Sequence, residues 1–442
     1  MRGDDRGGGT QRDVASDATR KAVTSTGPLN DGCPGTVDGN GIAPIDAPHL
    51  RTRAVHAGED IGAAVRPLTR PIVQSSVYAF RDPAMAEARF AADPPEPNYS
   101  RDGLPNVRAL AGAVADLEGA EAGHASASGM AAIGLLFLAH LSAGDHVVIS
   151  ADCYRDTQLL LTEELARFGV VTSRANCCDP IRIERAVTPR TRLIYVDTIS
   201  NPAMKLADLP RVAAIAHAAG ALLAVDNTFA TPVFCRPIEH GADLVVHSAT
   251  KFLGGHHDLT AGVIVGRRDL IAPIERCGYR FGPTLGSFDA WLALRGIKTL
   301  APRMAWITET ALTLATFLQT HPAVAAVRYP GLPDHPQPDL VRRLLPEGAG
   351  GVLAFDLRGG PAAADAFIRN LRLIPYAMSL GGATTTVCYP PRWRTAGAPV
   401  EPAGCATVRM SVVLEASRDL IADLRRALDG LPGDGTAPKE DA

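Results

Sequence analysis

Five short apolar, β-branched runs punctuate the middle of the chain: HVVIS (146–150), RLIYVD (192–197), LLAVDN (222–227), DLVVHS (243–248) and GVIVG (262–266). Each is continuous rather than alternating, as in strands buried on both faces of a parallel sheet. Helical stretches separate them. LPRVAAIAHAAG (209–220) closes on a glycine suited to a helix C-terminus, and ASASGMAAIGLLFLAHL (125–141) is a small-residue loop opening a long apolar helix. This alternation predicts an α/β fold with a large, mostly parallel sheet covered on both sides. After residue 302 the character changes. A helical segment (TETALTLATFLQTH) leads to GGVLAFDLRGG (350–360) and TVRMSVVLE (407–415), then an amphipathic helix near 417–431. That order predicts a smaller C-terminal α+β domain. Residues 1–48 and 433–442 lack an apolar period and are expected to be disordered. No internal repeat stands out.

Composition narrows the function classes. The 442 residues are 46% hydrophobic and 21% charged, an ordinary soluble balance, with ample chain for a large core. A net charge of -3 provides no global basic field for nucleic acid or an anionic membrane. The eight cysteines show neither C-x-x-C spacing nor the density of a disulfide scaffold, so buried thiols in a reducing compartment are expected. With no run of about 18 apolar residues and no apolar leader, neither a membrane span nor a signal peptide is expected, and the cytoplasm is the default location.

The chemistry begins with Asp226 and Lys251. Asp226 ends the run LLAVDN, and Lys251 follows another run, in HSATKFLGG. Ligands of open α/β sheets collect at the carboxyl ends of strands, so both side chains could face one crevice. Pyridoxal 5'-phosphate needs such a pair: a lysine amine to form a Schiff base, and a carboxylate to keep the pyridine nitrogen protonated. Ser248 and Thr250 flank the lysine with hydroxyls that suit a phosphate dianion. Ser128, Gly129 and Met130 open the apolar helix, where free N–H groups and the positive dipole end favour a phosphate. Taken singly, each feature has a bland alternative. Asp226 could cap a turn, Lys251 could be a solvated lysine, and Ser128 could be an ordinary N-cap.

Taken together and in order, the motifs resemble the trans-sulfuration, or cysteine/methionine-metabolism, family of pyridoxal-phosphate enzymes. This group spans cystathionine γ-synthases, cystathionine γ-lyases, methionine γ-lyases and O-acylhomoserine sulfhydrylases. The resemblance runs from about Arg51 to Leu431. It rests on YSRDGLPN (99–106), LEGAEAGHASASGMAAI (117–133), DCYRDT (152–157), SNPAMKLAD (200–208), VDNTFATP (225–232), HSATKFLGGHHDLTAG (247–262), LRGIKTLAPRM (294–304), SLGG (379–382) and VRMSVVLE (408–415). It implies an aspartate-aminotransferase-like (type I) fold, with an arm over 49–103, a cofactor domain over 104–302 and a small domain over 303–432. Lys251 would be the Schiff-base lysine and proton shuttle, and Asp226 the partner of the pyridinium nitrogen. Tyr154 would stack on the ring and assist proton transfer. Ser248, Thr250, Ser128, Gly129 and Met130 would hold the phosphate, with Asn201 near the ring oxygen. Tyr99 and Arg101 would reach the cofactor of a neighbouring subunit, implying a homodimer or homotetramer with shared sites. Arg409, with Ser379, would bind the substrate α-carboxylate through a planar guanidinium. Outside the resemblance, Arg409 has a second reading, a salt bridge to Glu415. The adjacent His256 and His257 read as loop histidines, and no metal is expected.

The implied activity is γ-elimination or γ-replacement on a sulfur-containing or O-acylhomoserine-type L-amino acid. A β-lyase of the same family, a non-catalytic pyridoxal-phosphate-binding protein and an unrelated dinucleotide-binding oxidoreductase are the alternatives. The last is disfavoured because no G-x-G-x-x-G follows an early strand. Some positions depart from the family pattern. The YSR element continues as DGLPN, Asp156 stands where methionine γ-lyases usually carry a cysteine, and Thr384–Thr386 follow the glycines of SLGG. Met378 replaces an acid found before SLGG in many relatives, which favours a substrate without a distal charge.

Overall fold

The computed structural model describes residues 48–59, 65–91, 98–389 and 405–431. The expected disorder at both termini therefore falls outside the described residues, except at position 48. The larger sheet contains β1 (Ala122–Ser126), β2 (His146–Ser150), β3 (Val171–Ala175), β4 (Thr191–Asp197), β5 (Leu222–Asp226), β6 (Leu244–Ser248) and β7 (Gly262–Gly266). Their order across the sheet is β1-β7-β6-β5-β4-β2-β3. The five strands from β3 to β6 are parallel; β7 runs antiparallel to β6, and β1 antiparallel to β7. All five apolar runs are strands. β1 and β3 are additional, since AGHAS and VTSRA lack a continuous apolar signature.

Strand alternation divides this sheet between two cores. Val148, Ile194, Val196, Leu223, Val225, Val245, Val263 and Val265 face one side. Val147, Ile149, Leu193, Tyr195, Ala224, Leu244, Val246 and Ile264 face the other. Burying each such side chain stabilises the fold by roughly 1.5–3 kcal/mol, which explains the unbroken apolar runs. The helices that matter to the site are α1 (Pro105–Glu118), α2 (Gly129–His140), α3 (Arg155–Leu159), α4 (Leu209–Ala218), α5 (Arg268–Phe281), α6 (Leu300–Thr320) and α7 (Ser417–Asp429). α1 and α4 cover the first face, and α2 and α5 the second. α2 is apolar on nearly every side because it packs between sheet and neighbouring helix.

The second sheet is antiparallel: β8 (Val324–Arg328), β9 (Val352–Arg358), β10 (Thr386–Cys388) and β11 (Cys405–Ser411), in the order β10-β11-β9-β8. α6 and α7 pack on it through Leu314, Leu318, Leu420 and Leu424. α6 runs from Leu300 to Thr320 and takes in the expected helical stretch TETALTLATFLQTH up to its last residue. A large α/β layer joined to a smaller α+β layer matches the expected architecture. Among the described residues, no helix is long and apolar enough to cross a membrane.

Candidate active site

Parallel pairing brings the carboxyl ends of β4, β5 and β6 together, with Asp197 opposite Asp226 and Asp226 opposite Val246. Ser248 ends β6, and the chain turns at once into the loop that carries Lys251, whose N–H donates to the Ser248 carbonyl at 3.0 Å. The Lys251 ammonium donates to Ser379 Oγ at 2.8 Å. Burial, followed by the nearby Arg409 charge, lowers the proton affinity of Lys251. Arg303 fixes the loop from beneath. Its guanidinium donates to the carbonyls of Phe252 at 2.8 Å, Leu253 at 3.4 Å and Gly296 at 2.7 Å. The Ser379 loop can approach only because of its glycines. A Cβ on Gly381, where φ is +73°, would lie 2.8 Å from Phe252 N and 3.2 Å from Lys251 Cα. Gly382 packs against the ring of His257, while His256 Nδ1 lies 2.8 Å from the Gly254 carbonyl.

Arg409 projects from β11 toward the same place. It donates to the Ser379 carbonyl at 3.3 Å and, weakly, to Asn201 Oδ1 at 3.5 Å. Its Nε is buried without a hydrogen-bond partner, and no carboxylate of the described residues pairs with it. The salt bridge to Glu415 is not formed; Glu415 instead accepts from Thr385 N and Thr385 Oγ1, each at 2.7 Å. A half-buried guanidinium without a counter-charge is costly, and a carboxylate arriving there would offset that cost. The arrangement suits a planar anion.

Asp226 is held from two sides. Thr228 N donates to its Oδ1 at 3.0 Å, and the buried Tyr195 hydroxyl donates to its Oδ2 at 3.3 Å. Beside it, burial first and the Asp226 charge second push the Asp197 carboxyl well above the usual range, and Asp197 Oδ2 has no partner. Underneath lies a polar hub. Glu118 Oε1 lies 2.7 Å from His247 Nε2 and accepts from Asn227 Nδ2 at 2.7 Å, while Asn227 Oδ1 accepts from Thr198 at 2.8 Å. Glu118, Asn227, His247 and Thr198 are fully buried, and they adjoin the residues that line the strand ends.

Across from Ser248 sits the N-terminus of α2. Ser128 caps it, with its Oγ accepting from Ala131 N at 3.0 Å and its carbonyl from Ala132 N at 3.0 Å. The amides of Gly129 and Met130 are the first-turn donors that these caps do not use. A Cβ on Gly129 would stand 2.9 Å from Ser248 Cβ and 3.0 Å from its Oγ, so glycine is what keeps this approach open. Thr250 Oγ1 accepts from Ala261 N at 3.0 Å and lies 3.3 Å from the Ala261 carbonyl, tying the lysine loop to β7. Tyr154 precedes α3 as a half-exposed residue, and its hydroxyl donates to Asp156 at 2.8 Å.

These features combine a buried lysine, a braced carboxylate and an open helix terminus at the ends of parallel strands. The sequence matches the Cys/Met metabolism PLP-dependent enzyme model over residues 51–429. The chain belongs to the Cys/Met metabolism family of PLP-dependent enzymes. It is 40% identical over 394 residues to an L-methionine gamma-lyase of Porphyromonas gingivalis, covering 86% of this chain and 97% of that one. It is likewise 40% identical over 364 residues to an O-succinylhomoserine sulfhydrylase of Pseudomonas aeruginosa, covering 81% and 90%. Among solved structures, a cystathionine gamma synthase of Xanthomonas oryzae pv. oryzae superposes with a TM-score of 0.79 at 34% identity, covering 87% and 98%. The protein is thus a PLP-dependent enzyme with the type I architecture.

The residues present fit that cofactor. The glycine-lined cradle between α2 and Ser248 suits its phosphate, and the partnerless Arg409 Nε marks a place for an anionic substrate group. Tyr99 and Arg101 are placed differently. Arg101 lies over Tyr99 and over Tyr279 of α5, at 5.3 Å and 4.5 Å from the ring centroids, and Tyr99 is 43% exposed. Among the described residues, no group of three or more His, Cys, Asp or Glu side chains is arranged to hold a metal. Sequence reasoning missed Tyr195, Thr228 and Asp197, which surround Asp226. The polar ends of RLIYVD and VDNT were the available signal, since a tyrosine or threonine at a buried strand end needs a partner.

Proposed function

We propose that this enzyme expels or replaces an uncharged γ-substituent of an L-amino acid such as methionine or an O-acylhomoserine. The observation that carries the reading is the convergence on Ser379. Its hydroxyl accepts from Lys251 Nζ and its carbonyl from Arg409, which brings to one residue an amine and a guanidinium whose Nε has no partner. Bound at this site, pyridoxal 5'-phosphate supplies an electron sink for charge that develops at the substrate α-carbon. Lys251 would hold it covalently, Asp226 would face its ring nitrogen, and Asn201 would lie by the ring oxygen. Ser248, Thr250, Ser128 and the amides of Gly129 and Met130 would hold its phosphate.

The chain's own groups divide the remaining work. Arg409 orients the substrate by its α-carboxylate, with two parallel donors available to a planar anion. Lys251, its proton affinity lowered by burial and then by the Arg409 charge, takes and returns protons at Nζ. The Tyr154 hydroxyl donates a proton toward the departing group. Met378, 41% exposed and 3.5 Å through its sulfur from Cys388, gives the rim an apolar contact that favours an uncharged side chain. A relative named L-methionine gamma-lyase supports this class, and one named O-succinylhomoserine sulfhydrylase supports the replacement branch though its substrate's succinyl group carries a carboxylate.

Three further elements belong to the same proposal. Tyr99 and Arg101, exposed beside α5, would complete the site of a neighbouring subunit in a homodimer or homotetramer. The chain would divide into the arm over 49–103, the cofactor domain over 104–302 and the small domain over 303–432. It would work in the cytoplasm.

The purified enzyme should be assayed with methionine, cystathionine, O-acetylhomoserine and O-succinylhomoserine, each with and without an added thiol. The reading expects 2-oxobutanoate, or a thioether when thiol is present, from an uncharged substrate ahead of cystathionine. Pyruvate from cystathionine as the main product would overturn it and indicate a β-lyase.

A further inference from the structure

The Tyr154 hydroxyl is already committed in this fold. Tyr154 stands just before α3, and its hydroxyl donates to Asp156 Oδ2 at 2.8 Å. Asp156 lies in the first turn of the same helix, where the positive dipole end favours a carboxylate. An ionised carboxylate accepts a phenolic proton but repels a phenolate, so this contact disfavours deprotonation of the tyrosine. The charged groups that face the phenol are Asp156 and Arg155 from its own segment and Arg409 from β11. The two arginines favour the phenolate, but Arg155 is half exposed and leans toward Asp156 at 3.9 Å. Burial and the bond to Asp156 outweigh them, and the phenol is pushed up to about 12.

We propose that Asp156 is a positioning residue that fixes the Tyr154 hydroxyl and keeps it protonated, so that Tyr154 serves as a proton donor across the enzyme's working pH range. The choice has a chemical consequence. A phenol held protonated cannot take the substrate's α-proton, so that duty falls to Lys251; its one O–H, held by Asp156 in the resting site, turns to the departing thiolate or carboxylate and offers it a hydrogen bond. The inference rests on the proposed function only in giving Tyr154 a place beside the reacting substrate.

The test is Asp156→Asn, a half-exposed position where the amide keeps the shape and removes the charge. Phenolate formation is followed by ultraviolet difference absorbance against pH in the parent, in D156N and in Tyr154→Phe as the blank that isolates this one tyrosine. D156N is expected to ionise Tyr154 at least about one pH unit earlier, giving roughly tenfold more phenolate at a given alkaline pH. The alkaline limb of kcat/KM should move with it, while D156S leaves the limb as low as D156N and Asp156→Glu restores it in part. Unchanged ionisation of Tyr154 in D156N overturns the proposal. Earlier ionisation with an unmoved alkaline limb upholds the link between Asp156 and Tyr154 and instead overturns the proton-donor role given to Tyr154 above.

Discussion

Lys251 Nζ meets Ser379 Oγ at 2.8 Å, and this bond joins the lysine loop after β6 to the segment preceding β10. The two residues lie 128 positions apart, and Gly381 is what lets their backbones close on one another. Gly381→Ala places a Cβ 2.8 Å from Phe252 N in a left-handed conformation, where an alanine is strained whatever space it has. Backbone cannot rotate away as a side-chain end can. The variant should fold with modest loss of stability but lose about a hundredfold or more in kcat/KM, because a displacement of about 1 Å at a site can cost that much. Steady-state kinetics beside a thermal melt check this, and unimpaired turnover would show that the loops need not meet.

Arg409 should act on substrate binding. A hydrogen bond to a charged group contributes about 1.5–3 kcal/mol, so Arg409→Gln should lower kcat/KM by roughly 10- to 100-fold. Most of that should appear as a raised KM, and the visible absorbance of the bound cofactor should stay as in the parent. A kcat defect at unchanged KM would place Arg409 elsewhere in the reaction.

The buried lysine predicts a pH-dependent stability difference. The folded-state proton affinity of Lys251 is below the ordinary value, so the folded apoenzyme is penalised whenever the amine is charged. That penalty is fully present below the folded-state value and disappears above the ordinary lysine value of 10.5. Lys251→Met should therefore melt above the parent apoenzyme at neutral pH, with the gap narrowing as pH rises toward 10.5. Differential scanning calorimetry of the two apoproteins reads this directly; a gap that widens with pH would reverse the sign and refute the argument.

The hub beneath Asp226 is structural. Glu118→Ala leaves the His247 and Asn227 side chains, both fully buried, without their shared acceptor. At about 1–3 kcal/mol for each such group, the loss should be roughly 2–6 kcal/mol by chemical denaturation. Glu118→Gln keeps an oxygen for both contacts and should lose less. Equal losses would mean that charge, not hydrogen bonding, holds the hub.

Much of this was legible in the sequence, for reasons that vary by element. β2, β4, β5, β6 and β7 were visible because strands buried on both faces cannot alternate. β1 was not, because AGHAS is short of branched side chains and is an edge strand held by pairing with β7. Lys251 and Asp226 could be found because a turn follows each apolar run, and Arg409 because a guanidinium sat in a buried strand. The partners of these residues were hidden. Glu118, at the end of α1, reaches His247 of β6 across 129 positions through helix-on-sheet packing, and Tyr195 reaches Asp226 across 31 through the parallel register of β4 and β5. The acceptor of the Tyr154 hydroxyl was two residues away, yet its geometry depends on the turn into α3. Glu415, the partner considered for Arg409, is taken by Thr385, a competition that no spacing rule reveals.

The central claim is that Lys251 carries the cofactor, and peptide mapping after borohydride reduction of the holoenzyme tests it most directly. The account predicts that the peptide containing Lys251 alone gains the mass of one reduced cofactor. Labelling of a different lysine, or a protein that retains pyridoxal phosphate and full activity as Lys251→Ala, would contradict it.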